Sequence, residues 1–254
     1  MRNAFRHLLT ELEGIPTSDI PLIEWHHKLC FLAVVLDEKP AFAIGFDEPV
    51  PPRMVHFLDQ QSPLLGLKVF STKRPPREYL KIADVPPAIA LAIADKWDKS
   101  NRTNHSITWV VKREDCRDIV EKAVRGEATL GDALGYPTCC ADAYNADRAL
   151  HLRMYYESLC RSAGSKSTSL ILNLLEKNEP VNAELPSAER VVQTMSRFSF
   201  LPFIACQSCL EHPDSPCVER NDAFRRVLTS LAPTAARRVL IMARAMSNYG
   251  GASS

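Results

Sequence analysis

The rhythm of apolar and polar positions changes near residue 113. Before it, short apolar runs are punctuated by Pro49, Pro51, Pro52, Pro75, Pro76, Pro86 and Pro87, which divide the chain into small elements. "LCFLAVVLDEKPAFAIGF" (Leu29 to Phe46) reads as two apolar strands joined by a turn at Asp37–Pro40, hence a hairpin. "GLKVFST" and "HSITWVVKR" predict two more strands, the second with Ile107, Trp109 and Val111 alternating onto one face. Between them "PPAIALAIADKWDKS" opens with prolines suited to a helix start and continues with helix formers. The first residues, with Phe5, Leu8, Leu9 and Leu12 at helical spacing, predict an amphipathic helix.

After Arg113 the period is helical. "REDCRDIVEKAVRG" predicts a helix stopped by Gly126, and "CCADAYNADRALHLRMYYESLCRSAG" a long one stopped by Gly164. "TSLILNLLEKN", "PSAERVVQTMSRF", "SPCVERNDAFRRVLTSL" and "PTAARRVLIMARAMSN" follow with the same spacing. The fold class is therefore α+β: a small N-terminal antiparallel sheet layer, then a mostly helical C-terminal half. The regions run from 1 to 112 and from 113 to 254, as two units or one continuous domain.

With 254 residues, 46% of them hydrophobic, the chain can build a substantial core. Its 31 Lys and Arg balance 30 Asp and Glu, so no overall charge argues for nucleic acid or a membrane surface as partner. Glu11 and Glu13 stand where a signal peptide would be uncharged, and no apolar run approaches the roughly 20 residues of a spanning helix. The expectation is a soluble, cytoplasmic protein. In that reducing compartment eight cysteines point to metal binding, catalysis or burial rather than to structural disulfides.

Seven of the eight cysteines lie after residue 113, and two segments stand out. In "GYPTCC" (Gly135 to Cys140), Pro137 ends the preceding structure and Thr138 is the expected N-cap of a helix beginning with Cys139 and Cys140. Free N–H groups and the helix dipole there favour thiolate over thiol, so two low-pKa sulfurs are expected. "FLPFIACQSCLEHPDSPC" then supplies Cys206 and Cys209 as C-x-x-C, a spacing that lets two sulfurs face one ion, followed by His212 and Cys217. The expected ligand set is Cys139, Cys140, Cys206 and Cys209, with Cys217 in reserve and His212 as a further candidate. Four thiolates suit tetrahedral zinc or an iron–sulfur cluster. Adjacent cysteines point in different directions and reach different irons of one cluster more easily than one small ion. The expected centre is therefore [4Fe–4S], with zinc as the alternative.

These residues carry a resemblance. "LGYPTCCADAY" followed by "FSFLPFIACQSC" resembles a bacterial and archaeal family marked by Gly-Tyr-Pro-x-Cys-Cys and a later cysteine pair after an aromatic-Pro stretch, a family that brings no activity with it. The ligand pattern is similar to the tandem cysteines of the small-subunit family of respiratory complex I and nickel-iron hydrogenases. It is also similar to the Cys-Cys-Gly plus C-x-x-C sets of heterodisulfide-reductase-like proteins, although Ala141 replaces that glycine. The resemblance implies a type of ligand rather than a reaction.

Two other features qualify as site candidates. "EWHHKLC" places His26 and His27 before an expected strand, where one of the two could contribute a general acid. Tyr144 lies one turn after Cys140 and could cover the site or hydrogen-bond a sulfur. No phosphate-binding, zinc-protease or nucleophile-elbow motif is present. The leading expectation is an iron–sulfur enzyme of redox or biosynthetic chemistry, with a small-molecule substrate or a redox partner protein. The rivals are a metal-free thiol or persulfide sulfur-transfer enzyme and a zinc-stabilised binding or scaffold protein.

Overall fold

The computed structural model describes residues 8, 10–12, 14, 21–46, 50–97, 106–177 and 188–250. The expected N-terminal amphipathic helix from Phe5 lies largely outside them. The described elements are helices with one small sheet, the α+β class read from the pattern. Three strands, β1 (Ala41–Ile44), β2 (Lys68–Thr72) and β3 (Ile107–Val111), form a sheet of order β1-β3-β2 with both pairings antiparallel. Central β3 takes the β-branched and aromatic run, and both its faces are covered. Phe42, Ile44 and Val110 pack under α1 (Pro21–Val35) and α2 (Pro52–Leu64). Ile107, Trp109 and Val111 pack on α5 (Glu114–Arg125) and α6 (Leu130–Leu134). The Trp109 indole N–H donates to Thr72 Oγ1 at 2.8 Å, so this buried ring leaves no orphan donor.

The expected hairpin is half right. Ala41–Ile44 is a strand, but the stretch before the turn belongs to helix α1. Leu29 to Val35 are all buried, and a helix apolar on every side shows no amphipathic period to separate it from a buried strand. The turn itself is real. Asp37 adopts φ +63 and the Glu38 N–H donates to the Ala33 carbonyl at 2.8 Å, closing the helix. Helix α2, which the prolines concealed, begins with Pro52 in its first turn and carries Pro63 in its last.

The remaining helices are α3 (Tyr79–Ile82), α4 (Pro87–Trp97), α7 (Thr138–Ala163), α8 (Thr168–Lys177), α9 (Ala188–Arg197), α10 (Gln207–Glu211), α11 (Pro216–Leu231) and α12 (Pro233–Gly250). Gly126 and Gly164 end α5 and α7 in left-handed conformations, as expected. Packing crosses residue 113 repeatedly. Phe224, Leu228 and Val239 of α11 and α12 join the core around α1, while α3 and α4 pack on α7 and α8. Among the described residues no helix is long and apolar enough to cross a membrane.

The approach to α7 is built from local rules. Thr129 and Asp132 form a reciprocal capping box at the start of α6. Gly135 ends α6 at φ +69, the Tyr136 N–H closes back onto the Gly131 carbonyl at 2.8 Å, and Pro137 opens α7. The Gly-Tyr-Pro triplet is thus a helix stop fused to a helix start. A Cβ on Gly135 would lie 2.4 Å from Pro40 Cδ, beside the turn that precedes β1. Gly135→Ala therefore meets both backbone strain and a clash, and should lower the unfolding free energy by about 2–4 kcal/mol. Urea denaturation checks it; an unchanged midpoint would show that the turn relaxes freely.

Candidate metal centre

Cysteine sits at three helix starts. Cys139 and Cys140 occupy the first turn of α7, Cys206 is the N-cap of α10 with Cys209 three residues on, and Cys217 is in the first turn of α11. Segments 66 and 70 residues apart are thereby joined through sulfur. The Sγ atoms of Cys139, Cys140, Cys206 and Cys209 all lie within 4.8 Å of one another, a group that could hold a metal ion. Cys139 and Cys209 are 3.6 Å apart, and Cys140 and Cys209 are 3.8 Å apart. A fifth sulfur, Cys217, touches Cys140 at 3.6 Å.

The surroundings hold this geometry. Phe198, Leu201, Phe203 and Leu210 wall the sulfurs in. Cys140, Cys206, Cys209 and Cys217 are buried, whereas Cys139 is exposed. The Cys206 N–H donates to Cys140 Sγ at 3.4 Å, linking the two segments directly. The Ser215 hydroxyl donates to the Cys209 carbonyl at 3.0 Å, fixing the turn between α10 and α11. Thr194 Oγ1, from buried Thr194, accepts from the Ala205 N–H at 3.1 Å and sets the chain that enters the C-x-x-C. Tyr136, from Gly-Tyr-Pro, stacks on Phe203 at 5.2 Å between centroids.

Beneath that stack lies a polar knot. Buried Lys39 donates to the Pro202 carbonyl at 3.0 Å and to Cys30 Sγ at 3.6 Å, and its ammonium lies 4.8 Å from the Tyr136 ring centroid. The Cys30 thiol donates to the same Pro202 carbonyl at 3.0 Å. Burial pushes Cys30 up and Lys39 down, each partly offset by the other. The knot ties the turn before β1 to the chain running into Cys206.

Two local expectations need correction. Thr138 is not the cap: Pro137 is the N-cap and α7 has no side-chain cap, the Pro137 carbonyl instead accepting the N–H groups of Cys140 and Ala141. Nor does the helix start by itself yield two acidic thiols. Contact with Cys217, then burial, pushes Cys140 far up. Cys139 is raised first by burial, with the neighbouring Cys140 and Cys206 adding to it. Burial carries Cys209 up to about 12. Cys206 alone moves down: burial raises it, but hydrogen bonds from the Cys209 N–H and from neighbouring thiols outweigh that.

The other candidates are placed elsewhere. His212 is the exposed C-cap of α10, outside the four-sulfur group. His27 stands in α1, not before a strand, with its ring edge-on to Phe42. His26 is also within α1, but its side chain lies outside the described residues. Tyr144 is half-exposed under the Arg148 guanidinium. Sequence reasoning missed Lys39, Thr194 and Tyr136 as supports: Lys39 and Thr194 have no chemistry-bearing neighbours along the chain, and Tyr136, within the Gly-Tyr-Pro turn, gives no sign that its ring packs on Phe203. Compared with family models, curated proteins and solved structures, the chain has no match in any of the three.

Thr194→Val keeps the shape of that side chain and leaves the buried Ala205 N–H without its acceptor. It should cost about 1–3 kcal/mol of stability, read from denaturant unfolding. A variant as stable as the parent would show that this hydrogen bond does not hold the segment.

Proposed function

We propose that the protein is a zinc metalloprotein whose single ion is held by Cys139, Cys140, Cys206 and Cys209. The carrying observation is the sulfur spacing. A tetrahedron with Zn–S bonds of about 2.3 Å has edges of about 3.8 Å, and Cys209 stands 3.6 Å from Cys139 and 3.8 Å from Cys140. In a [4Fe–4S] centre each cysteine binds a different iron on the outside of a cube, which asks for sulfurs about 6 Å apart. The upper limit of 4.8 Å across the group favours one ion. The donor set also fits: four soft sulfurs with no carboxylate or histidine in the group, as tetrahedral S4 sites have.

The ion would supply positive charge that keeps these thiols ionised near neutral pH. The chain's own residues do the rest. The Cys206 N–H donates to Cys140 Sγ, the aromatic wall of Phe198 and Phe203 keeps water from the buried sulfurs, and exposed Cys139 leaves one side open. The centre joins the start of α7 to α10, so its first task is to cross-link the fold. This is the scaffold alternative of the sequence reading rather than its cluster reading, and the sulfur spacing is what supports it.

Metal, iron and acid-labile sulfide analysis of protein purified without oxygen provides the test. The expected result is a colourless protein with one zinc per chain, lost in Cys206→Ser and Cys209→Ser. Iron with matching sulfide and a brown chromophore would replace zinc by the cluster, and a metal-free protein would overturn the proposal. A second expectation follows from the proton inventory. Cys139, Cys140 and Cys209 are all raised above the ordinary thiol value of 9.0, so at pH 7 the metal-free site holds their protons. Loading must release at least those three, so affinity falls as pH falls, by about a thousandfold per unit near neutrality. Calorimetric titration with zinc in buffers of different ionisation enthalpy counts the protons; release of fewer than two would mean that these thiols are not the ligands.

A further inference from the structure

A tetrahedral ion takes four sulfurs, and the structure gathers five. Cys217 is fully buried and 3.6 Å from Cys140 Sγ. It thus touches one of the expected ligands and belongs to the same apolar cluster as Cys140, Cys206 and Cys209. Cys139 is the opposite case: it is the one exposed member of the set, beside three sulfurs that are buried. The least protected ligand and the most protected spare sulfur therefore share one site.

We propose that Cys139 is the exchangeable, reactive thiolate of the centre, directed at soft carbon electrophiles, and that Cys217 takes its coordination position once Cys139 has reacted. The inference rests on the metal-centre reading. In the step, the Cys139 sulfur attacks the electrophilic carbon, a C–S bond forms, and the bond to the leaving group breaks with its electron pair departing on that group. Cys139 becomes a neutral thioether, a weak ligand. Cys217 gives its proton to buffer on ligation, so the site ends with four thiolates again. The geometry suits this order, because the modified residue faces solvent and the replacement already lies against Cys140, inside the same apolar cluster as Cys206 and Cys209. A cysteine that merely filled the core would need no contact with a ligand sulfur.

The probe is iodoacetamide, with iodide as leaving group, applied to the zinc-loaded full chain in the presence of a colorimetric zinc chelator. Expected among the five site cysteines is one carbamidomethyl group, mapped by peptide fragmentation to Cys139, and less than a tenth of an equivalent of zinc released; label on the partly exposed Cys160, outside the site, is counted separately in a Cys160→Ala background. In Cys217→Ala the same modification should release about one equivalent. If zinc leaves the parent protein in step with alkylation, Cys217 is no replacement. If another cysteine of the site reacts first, Cys139 is not the exchangeable thiolate. Either result sinks the proposal while leaving the metal centre standing, whereas parent protein purified without zinc sinks both. Should Cys217→Ala fail to fold by circular dichroism, Cys139→Ser supplies the second arm: it should retain one zinc per chain, and loss of zinc from it overturns the replacement role.

Discussion

Several thiols cannot share a small apolar space as anions. Two unit charges about 4 Å apart at an effective dielectric near 20 repel by roughly 4 kcal/mol, equivalent to about three pKa units. One thiolate is the easiest to tolerate, and Cys206 is the sulfur whose pKa moves down: burial raises it, but the Cys209 N–H and neighbouring S–H donors outweigh that. Further ionisation meets that repulsion on top of larger effects: the contact with Cys217 and burial hold Cys140 protonated, and burial holds Cys209 so. A divalent cation reverses the sign of the problem, because each anionic sulfur then faces net attraction. The apolar wall of Phe198, Leu201 and Phe203 sharpens this contrast by keeping water from screening it.

The rest of the fold reads as the apparatus that keeps two distant segments in place. On one side, the Thr129–Asp132 capping box, the left-handed Gly135 and Pro137 set where α7 begins, and hence where Cys139 and Cys140 stand. On the other, Thr194, Ser215 and the Cys206 N–H fix the turn of α10. Between them Tyr136 lies on Phe203, with Lys39 holding the Pro202 carbonyl from below. A buried lysine is costly unless its donors are used. Lys39 uses them on a carbonyl, a sulfur and a ring face, which explains how it persists at 4% exposure.

What the chain declared openly was short in range. Helix stops at Gly126 and Gly164, the alternation in β3 and the C-x-x-C spacing depend on neighbours within a turn or two, and each took the form that its pattern implied. The identity of Leu29–Val35 was not legible, because a segment buried on all sides carries no periodic contrast. Thr138 looked like a cap because its residue type is a good one, yet Pro137 had already fixed the helical entry one residue earlier. The helix-start argument for acidic thiols failed for a physical reason: burial, four mutually close sulfurs and a fifth against Cys140 outweigh a dipole effect of typically 0.3–1 kcal/mol. The distances that separate one ion from a cluster are tertiary quantities and have no signature along the chain.

In the proposed metal-bound form, cross-linking would give the centre a consequence beyond its own ligands. Joining Cys140 to Cys206 closes a loop spanning 66 residues. In the chain-entropy picture, a covalent link over that distance removes roughly 4 kcal/mol of unfolded-state freedom. That is comparable to a large share of a domain's net stability. Helices α8 and α9 both lie inside the closed loop. Any chemistry that removed a ligand without replacing it would therefore loosen a large part of the helical half as well as the site. In the proposed centre, a fifth sulfur already in contact with Cys140 would separate those two effects, letting an exposed ligand react while the cross-link persists.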